Sequence, residues 1–420
     1  MDPFQSLRRR CHRLLHRPLP EVPSLRPGSL DRLRDTAPRL TRLLTENIIP
    51  FWYPASLDRE NGGYLLNHDP AGRYKGPADK YLVAHARTCW FFARLARGDW
   101  LPESLSAARV GFEFLRDRLW DQEYGGFVWG ERDDRKLLIG QVFALYAVAE
   151  YAAVSRDPGA LAQAREIYDT IERRFRDRAQ GGYWSRFGRR WDGGPDEGGV
   201  AAEKTLGEHV HVLEAYTAYA TIADGPEVRS RLLELIVINT GTVLRKGSGA
   251  PTDAHRADWT PLLDREHART SYGHNLETVW LVLEACRAVE LPETLVLDWG
   301  RTLTESAMKW GWDRKRGGMY FAGSLNGPAH NLEKVWWVQA ETLVASLMLY
   351  QRTGDERFAE LYLSVLDWVE QRQVDRQGGD WHRRIRPTGE VTGDKADRWT
   401  DPYHQGRAMM VCLDILGAGG

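Results

Sequence analysis

Two kinds of stretch alternate along the chain. In one, nearly every position is apolar, with many alanines and aromatics: roughly Tyr81 to Arg97, Leu138 to Val154, Lys204 to Ile222, Tyr272 to Val289, Val335 to Tyr350 and Tyr403 to Leu416. In the other, apolar residues recur every three or four positions beside a charged face: roughly Leu30 to Ile49, Leu105 to Leu119, Leu161 to Phe175, Val228 to Leu244, Leu295 to Met308 and Glu356 to Val369. Both periodicities are helical. A helix that is apolar nearly all round is buried, and one with a polar stripe faces water. The pattern predicts six inner and six outer helices in alternation.

Double glycines punctuate this alternation. Asn61-Gly-Gly-Tyr64, Tyr124-Gly-Gly-Phe127, Gln180-Gly-Gly-Tyr183, Arg316-Gly-Gly-Met319 and Gln377-Gly-Gly-Asp380 recur with a period of roughly 60 residues. An aspartate precedes each (Asp58, Asp121, Asp177, Asp313, Asp375). The double-length gap between Gly181 and Gly317 leaves room for a degenerate copy at Lys246-Gly-Ser-Gly-Ala250, which makes six units. Six helical hairpins predict an all-α fold, an (α/α)6 barrel closed into a ring. An open solenoid would also alternate helices, but the glycine-rich aromatic turns before the inner helices suit loops crowded over a central cavity.

Charge then narrows the partner. With 57 basic against 58 acidic residues there is no electrostatic footprint for nucleic acid or an anionic membrane, so a small neutral molecule is expected. No stretch reads as a membrane span. Four scattered cysteines (Cys11, Cys89, Cys286, Cys412) form neither a disulfide framework nor a zinc motif, and imply a reducing, cytoplasmic setting. Residues 1–28 read as a Pro/Arg-rich extension and residues 29–420 as a single barrel domain, monomeric or homodimeric.

If the inner helices run parallel to one another, polar residues in their first turns converge at one end of the ring. Those residues are Arg87, Gln141, His209, His211, His274, Glu277, Trp336, Trp337 and His404, with Trp399 in the turn before the last helix. His209 and His211 lie two apart, about 200° around a helix, so only one can face inward; His211 fits the inward stripe and His209 reads as packing. A charged Arg87 in an apolar helix demands a partner. Any one histidine alone is more often structural, but three at equivalent helix starts point to a site. The 17 tryptophans include rings able to stack on sugars, whereas no metal-ligand spacing such as H-E-x-x-H occurs.

These residues sit in six ordered motifs: Lys80-x6-Arg87, Gly140-Gln-Val-Phe-Ala-Leu-Tyr146, Lys204-Thr-x4-Val-His-Val-Leu-Glu-Ala215, Ser271-Tyr-Gly-His-Asn-Leu-Glu277, Val335-Trp-Trp-Val-Gln-Ala-Glu341 and Trp399-Thr-Asp-Pro-Tyr-His404. Together they resemble the N-acylglucosamine 2-epimerase superfamily, in its cellobiose and mannose 2-epimerase branch. The resemblance implies interconversion of aldoses at C2 with no metal or redox cofactor. It implies His274 and His404 as acid/base pair, Glu277 as the carboxylate supporting His274, His211 as a third site histidine, and Arg87 as the oxygen-binding arginine. Trp399 and one of Trp336 and Trp337 would stack on the sugar, and Gln141 would line the substrate site. Where that branch tends to carry Lys-Thr-Met-Asn-Thr-His-Leu-His, this chain reads Lys204-Thr-Leu-Gly-Glu-His-Val-His211, so Gly207 and Glu208 stand at a substrate-facing position and a monosaccharide rivals cellobiose. Aldose-ketose isomerisation uses the same enediolate. An inverting glycosidase on Glu277, Glu208, Glu341 or Asp401, and a binding protein without turnover, are rival readings that leave the histidines unexplained.

Overall fold

The computed structural model describes residues 29–194, 204–223, 225–245, 249–264, 267–325 and 327–419. The expected extension at 1–28 and part of the degenerate repeat at 246–250 (residues 246–248) lie outside the described residues.

The alternation read from hydrophobicity is the alternation of the fold. Inner helices are α2 (Leu82–Arg97), α4 (Leu138–Ser155), α6 (Leu206–Tyr219), α8 (Tyr272–Ala288), α10 (Trp336–Thr353) and α12 (Tyr403–Leu416). Outer helices are α1, a run of short segments from Ser29–Arg34 to Ile49–Trp52, then α3 (Ser104–Phe114), α5 (Pro158–Thr170), α7 (Pro226–Val237), α9 (Thr294–Trp310) and α11 (Glu356–Trp368). Each inner helix packs on the next, and α12 returns onto both α2 and α1, so the ring is closed and the open solenoid is excluded. Four outer helices, α3, α5, α7 and α11, end in a wider π-turn, as at Leu115–Leu119 and Val369–Gln373. Against the expectation that no stretch reads as a membrane span, one helix, Leu138–Ser155, is long and apolar enough to cross a membrane; 78% of it is buried inside the barrel.

Short strands, not anticipated from sequence, stitch the repeats at the end where the inner helices begin. Lys136–Leu137, just before α4, pairs antiparallel with Arg186–Phe187 of the following repeat, and Lys334–Val335, just before α10, pairs with Arg384–Ile385. The aspartates before the double glycines explain why the turns are rigid. Asp313 Oδ1 accepts the N–H groups of Lys315 and Arg316 (both 3.0 Å), while Oδ2 takes the ammonium of Lys334, two residues before α10, at 2.8 Å. The same lock recurs as Asp58 with Lys80 (2.7 Å), Asp177 with Lys204 (2.6 Å) and Asp375 with Lys395 (2.7 Å), and Lys136 lies 3.2 Å from Asp121. Both glycines of each turn sit at positive φ in the first three copies and in the fourth, for example +70° and +82° at Gly317 and Gly318, where a Cβ would be strained.

The locks predict an acid-sensitive fold. Burial pushes these carboxyls up, but lysine and backbone N–H donors outweigh it and hold Asp58, Asp313 and Asp375 below 3.8, and Arg189, then backbone N–H groups and Lys136, hold Asp121 at about 2. A depressed folded pKa contributes stability above the unfolded value that is lost as pH falls through the folded one. The urea midpoint should therefore drop between about pH 4 and pH 2, and Lys334→Met should lower it at neutral pH by the equivalent of about 3–5 kcal/mol. A midpoint flat across that range would contradict the assignment.

Candidate functional site

One register repeated six times decides which first-turn side chains reach the barrel axis. His85, Gln141, His209, Asn275, Gln339 and Gln405 occupy equivalent places near the start of each inner helix and turn away from the cavity. Gln141 Oε1 accepts the Phe127 N–H (2.8 Å) and its amide donates to the Phe127 carbonyl (2.7 Å); Gln339 does the same to Met319. His209 Nε2 accepts the Tyr183 N–H at 2.9 Å, with Nδ1 bonded to the Thr205 carbonyl. These side chains clamp the residue that follows each double glycine. Gln141 is therefore corrected from a substrate ligand to a turn clamp; it is fully buried and lines no part of the cavity. His209 packs, as its register required.

Two residues further on, Arg87, Phe143, His211, Glu277, Glu341 and Arg407 point to the axis, because i and i+2 look in nearly opposite directions on a helix. Of these, Arg87, His211 and Glu277 line a cavity of about 750 Å³. Its walls bring together Arg87, Glu208, His211, His274, Glu277, Trp336, Trp337, Trp399 and His404, from five inner helices and one loop. Trp337 packs against two of the histidines, its ring centroid 4.9 Å from that of His274 and 5.4 Å from that of His404. Trp336 also faces the cavity while its indole N–H donates to Gln405 Oε1 (3.1 Å). Trp399 is 37% exposed at the mouth, tilted against Trp129. Glu208 accepts from the hydroxyls of Ser185 (2.6 Å) and Thr205 (3.0 Å), and burial raises its pKa. Sequence reasoning missed the outer wall of Asp253, Asn331, Glu333, Arg383 and Arg384.

Beneath the histidines lies a residue that was not anticipated. Arg407, 1% exposed, donates through Nη1 to Glu214 and the Tyr403 hydroxyl, and through Nη2 to Glu277 Oε1 (2.5 Å) and Glu341 Oε1 (2.8 Å). Glu214 Oε2 holds His211 Nδ1 at 2.9 Å, and Glu341 Oε1 holds His404 Nδ1 at 2.7 Å. The supported histidines are thus His211 and His404. The expected pairing of Glu277 with His274 is corrected: Glu277 lies 4.0 Å from His404 and spends one oxygen on Arg407, and His274 Nδ1 has no hydrogen-bond partner among the described residues. A buried carboxylate goes to the nearest fixed cation, and that cation lies deeper than His274. The signal that reveals Arg407 is the one that singled out Arg87, a charge inside an apolar helix, and Glu214 and Glu341 carry it too.

Ligand-capable atoms of Glu277, Glu341 and His404 lie within 4.8 Å of one another, a spacing that suits a cation, and the Arg407 guanidinium already bonds both carboxylates there. Burial, then Arg87 and Arg407, depress His404 well below 6.5, and burial lowers His274. Burial, then Glu341, lifts Glu277 to about 7; Arg407 and His211 overcome burial at Glu214 and hold it at about 2. Arg87 sits over the rings of Phe143 (4.0 Å) and Tyr403 (4.8 Å), and its one carboxylate among the described residues, Asp401, is 3.7 Å away and itself pushed up to about 6 by burial. Its positive charge is only partly compensated.

The sequence profile of the N-acylglucosamine 2-epimerase (GlcNAc 2-epimerase) family matches residues 63–408. The chain is 30% identical to a cellobiose 2-epimerase of Eubacterium cellulosolvens over 90% of its length and 97% of the relative's, and 24% identical to a D-mannose isomerase of Marinomonas mediterranea over 88% and 95%. The structure of a cellobiose 2-epimerase from Bacillus thermoamylovorans superposes with a TM-score of 0.84 at 28% identity, covering 91% of this chain and 99% of that one.

Two substitutions separate frame from floor. Gln141→Ala leaves two buried backbone groups unpaired, and the melting temperature should fall by the equivalent of about 1–3 kcal/mol while KM for the substrate stays put. A changed KM would return Gln141 to the cavity. Arg407→Met leaves three carboxylates without their shared cation, and chemical denaturation should register a loss of about 3–5 kcal/mol; an unchanged midpoint would show that the cluster is not held by that charge.

Proposed function

Since the chain belongs to the N-acylglucosamine 2-epimerase family, we propose that His274 and His404 exchange the proton on C2 of a sugar held between them. The enzyme is a carbohydrate isomerase, a sugar 2-epimerase/isomerase. The observation that carries the assignment of residues is the placing of two histidines against one tryptophan on the wall of one cavity.

The hydrogen on C2 of an open-chain aldose is acidified by the C1 aldehyde, and a neutral imidazole is the base suited to remove it at neutral pH. His404 is well prepared: burial keeps it uncharged, and its bond to Glu341 fixes the Nδ1–H tautomer, leaving the Nε2 lone pair as base. Inversion needs a proton taken from one face of the planar enediolate and another returned to the opposite face, which two histidines on α8 and α12 supply. Negative charge grows on O1 and O2, where the partly compensated Arg87 is the fixed cation. Trp337 offers a flat face to the sugar, with Trp336 and Trp399 around it, and Glu208 and His211 offer hydrogen bonds.

Protonation at C1 instead of C2 gives a ketose, the outcome named by the D-mannose isomerase relative. The favoured substrate is a β-1,4-linked disaccharide such as cellobiose over free mannose or glucose, because the cavity of about 750 Å³, lined also by Asn331 and Arg384, has more room than one pyranose fills. An inverting hydrolase needs two carboxylates about 6.5–9.5 Å apart across the sugar; Glu277 and Glu341 instead converge on one guanidinium. Buried, unpaired Cys89, Cys286 and Cys412 suit a reducing cytoplasm.

Incubation with cellobiose, glucose or mannose in D2O, followed by NMR, tests the reading. Deuterium should enter C2 of an epimer, and His404→Asn or His274→Asn should slow its entry about 10²–10⁴-fold. Because the folded pKa of His404 is depressed, the base stays unprotonated as pH falls through 6.5, so kcat/KM should decline only at more acid pH. Deuterium-free product, or an acid limb at the ordinary histidine value, would defeat the assignment.

A further inference from the structure

The three carboxylates around Arg407 are not equally served. Glu214 receives the guanidinium, the Tyr403 hydroxyl and His211 Nδ1–H. Glu341 receives the guanidinium, His404 Nδ1–H and the Trp280 indole N–H at 2.8 Å. Glu277 receives only Arg407, through Oε1; its Oε2 is buried, has no hydrogen-bond partner among the described residues, and belongs to a side chain that lines the cavity. The residue is 0% exposed.

Charge counting makes that asymmetry chemical. Three buried carboxylates share one guanidinium, and burial keeps His404 from supplying a compensating charge. Carboxylates crowded around one site cannot all ionise, so one takes a proton, and it settles where the fewest donors oppose it. Every hydrogen bond made to Glu214 and Glu341 arrives from a donor and favours the anion. Glu277 Oε2 has no such donor to displace.

We propose that Glu277 is held as the neutral acid in the resting enzyme and that its Oε2–H is a hydrogen-bond donor to the sugar oxygen that turns negative when C2 loses its proton. The proposal deepens the epimerase reading of the same cavity and rests on it for the identity of the acceptor. As a histidine removes the C2 proton, the electron pair of the C–H bond moves into the C1–C2 bond and the carbonyl pair moves onto O1. The Glu277 proton stays on its carboxyl throughout, shared in a shorter hydrogen bond, and is fully its own again when C2 is reprotonated. Glu277 thus acts beside Arg87 and not as a carboxylate behind His274. A neutral acid suits this place because it stabilises the enediolate without adding a net charge that would repel or trap it.

The groups facing Glu277 are Arg407 and His404 from α12, Glu341 from α10, and His211 and Glu214 from α6, with His274 one turn away on α8 itself. Their balance, after burial, places its titration near 7, so the donor is present below that pH and is lost as pH rises through it.

Infrared difference spectroscopy of the folded enzyme reads the proton directly. The spectrum of the wild type near pH 6 minus that of Glu277→Gln should show the C=O stretch of one protonated carboxyl, and in the wild type that band should fade as pH rises through about 7. In the kinetics, kcat of the wild type should decline over the same alkaline interval. Glu277→Gln keeps an N–H donor at every pH; it should lose roughly tenfold in kcat together with the alkaline limb, whereas Glu277→Leu should lose roughly 10²–10³-fold. Two results overturn the proposal: no titrating carboxyl band in the wild type, or a folded Glu277→Gln as inactive as Glu277→Leu. Should the glutamine variant fail to fold, Glu277→Leu takes its place in the difference spectrum, which separates the Glu277 band from that of Asp380, also raised to about 7. Absence of deuterium at C2 in the wild type would sink the epimerase reading and leave the infrared result standing on its own.

Discussion

A single guanidinium with almost no access to water organises this molecule's working end. Arg407 comes from α12 and reaches Glu214 on α6, Glu277 on α8 and Glu341 on α10, so four of the six inner helices are tied at the axis by one side chain. Burying a charge costs several kcal/mol before any pairing, and only a full set of hydrogen bonds offsets it. The cluster is therefore a poor stabiliser by comparison with packed leucines. What it supplies is direction: two of the three carboxylates pass their second interaction to a histidine, and the orientations of His211 and His404 both follow from where Arg407 sits.

That arrangement needs helices whose first turns begin in register. The Asp-to-Lys locks do this, because four of the lysines stand two residues before an inner helix, the fifth, Lys395, lies in the loop leading to α12, and each aspartate anchors a double-glycine turn. A turn gripped at one end by an ammonium and at the other by a glutamine or histidine clamp has little freedom to tilt its helix. A shift of about 1 Å at a reacting group can cost about 10²-fold in rate, and five repeated locks are the fold's means of preventing it.

The ring was legible because burial writes itself along a helix: a stretch like Leu138–Ser155, apolar on every face, has nowhere to be but inside. Helix ends were read to within a few residues, with α12 matching at both ends and α10 running three residues longer. Direction within the first turn was harder. Gln141 and His211 both looked like polar residues at a helix start, and only the two-residue offset between the clamp register and the axial register separates them. Aligning the repeats on His85, Gln141, His209, Asn275, Gln339 and Gln405 would have exposed that offset and Arg407 with it. The pairing of Glu277 with Arg407 instead of His274 was out of reach, since the two residues are 130 apart in sequence and meet only through ring closure.

Much charge is gathered in this cavity where water is scarce. Two opposite demands meet in the cavity: the bases must be neutral histidines, and the developing oxyanion must meet positive charge. In water a histidine beside two arginines would still titrate close to its ordinary value, and an arginine would be screened. With Phe143, Trp336, Trp337 and Tyr403 excluding solvent, burial and the nearby guanidinia hold His404 uncharged, while Arg87, stacked between Phe143 and Tyr403 and only loosely paired with Asp401, keeps its field. The aromatic walls therefore do more than stack on a sugar. They let one set of cations both keep the base neutral and await the negative charge, and the same walls would serve neither purpose if water filled the space around Arg87.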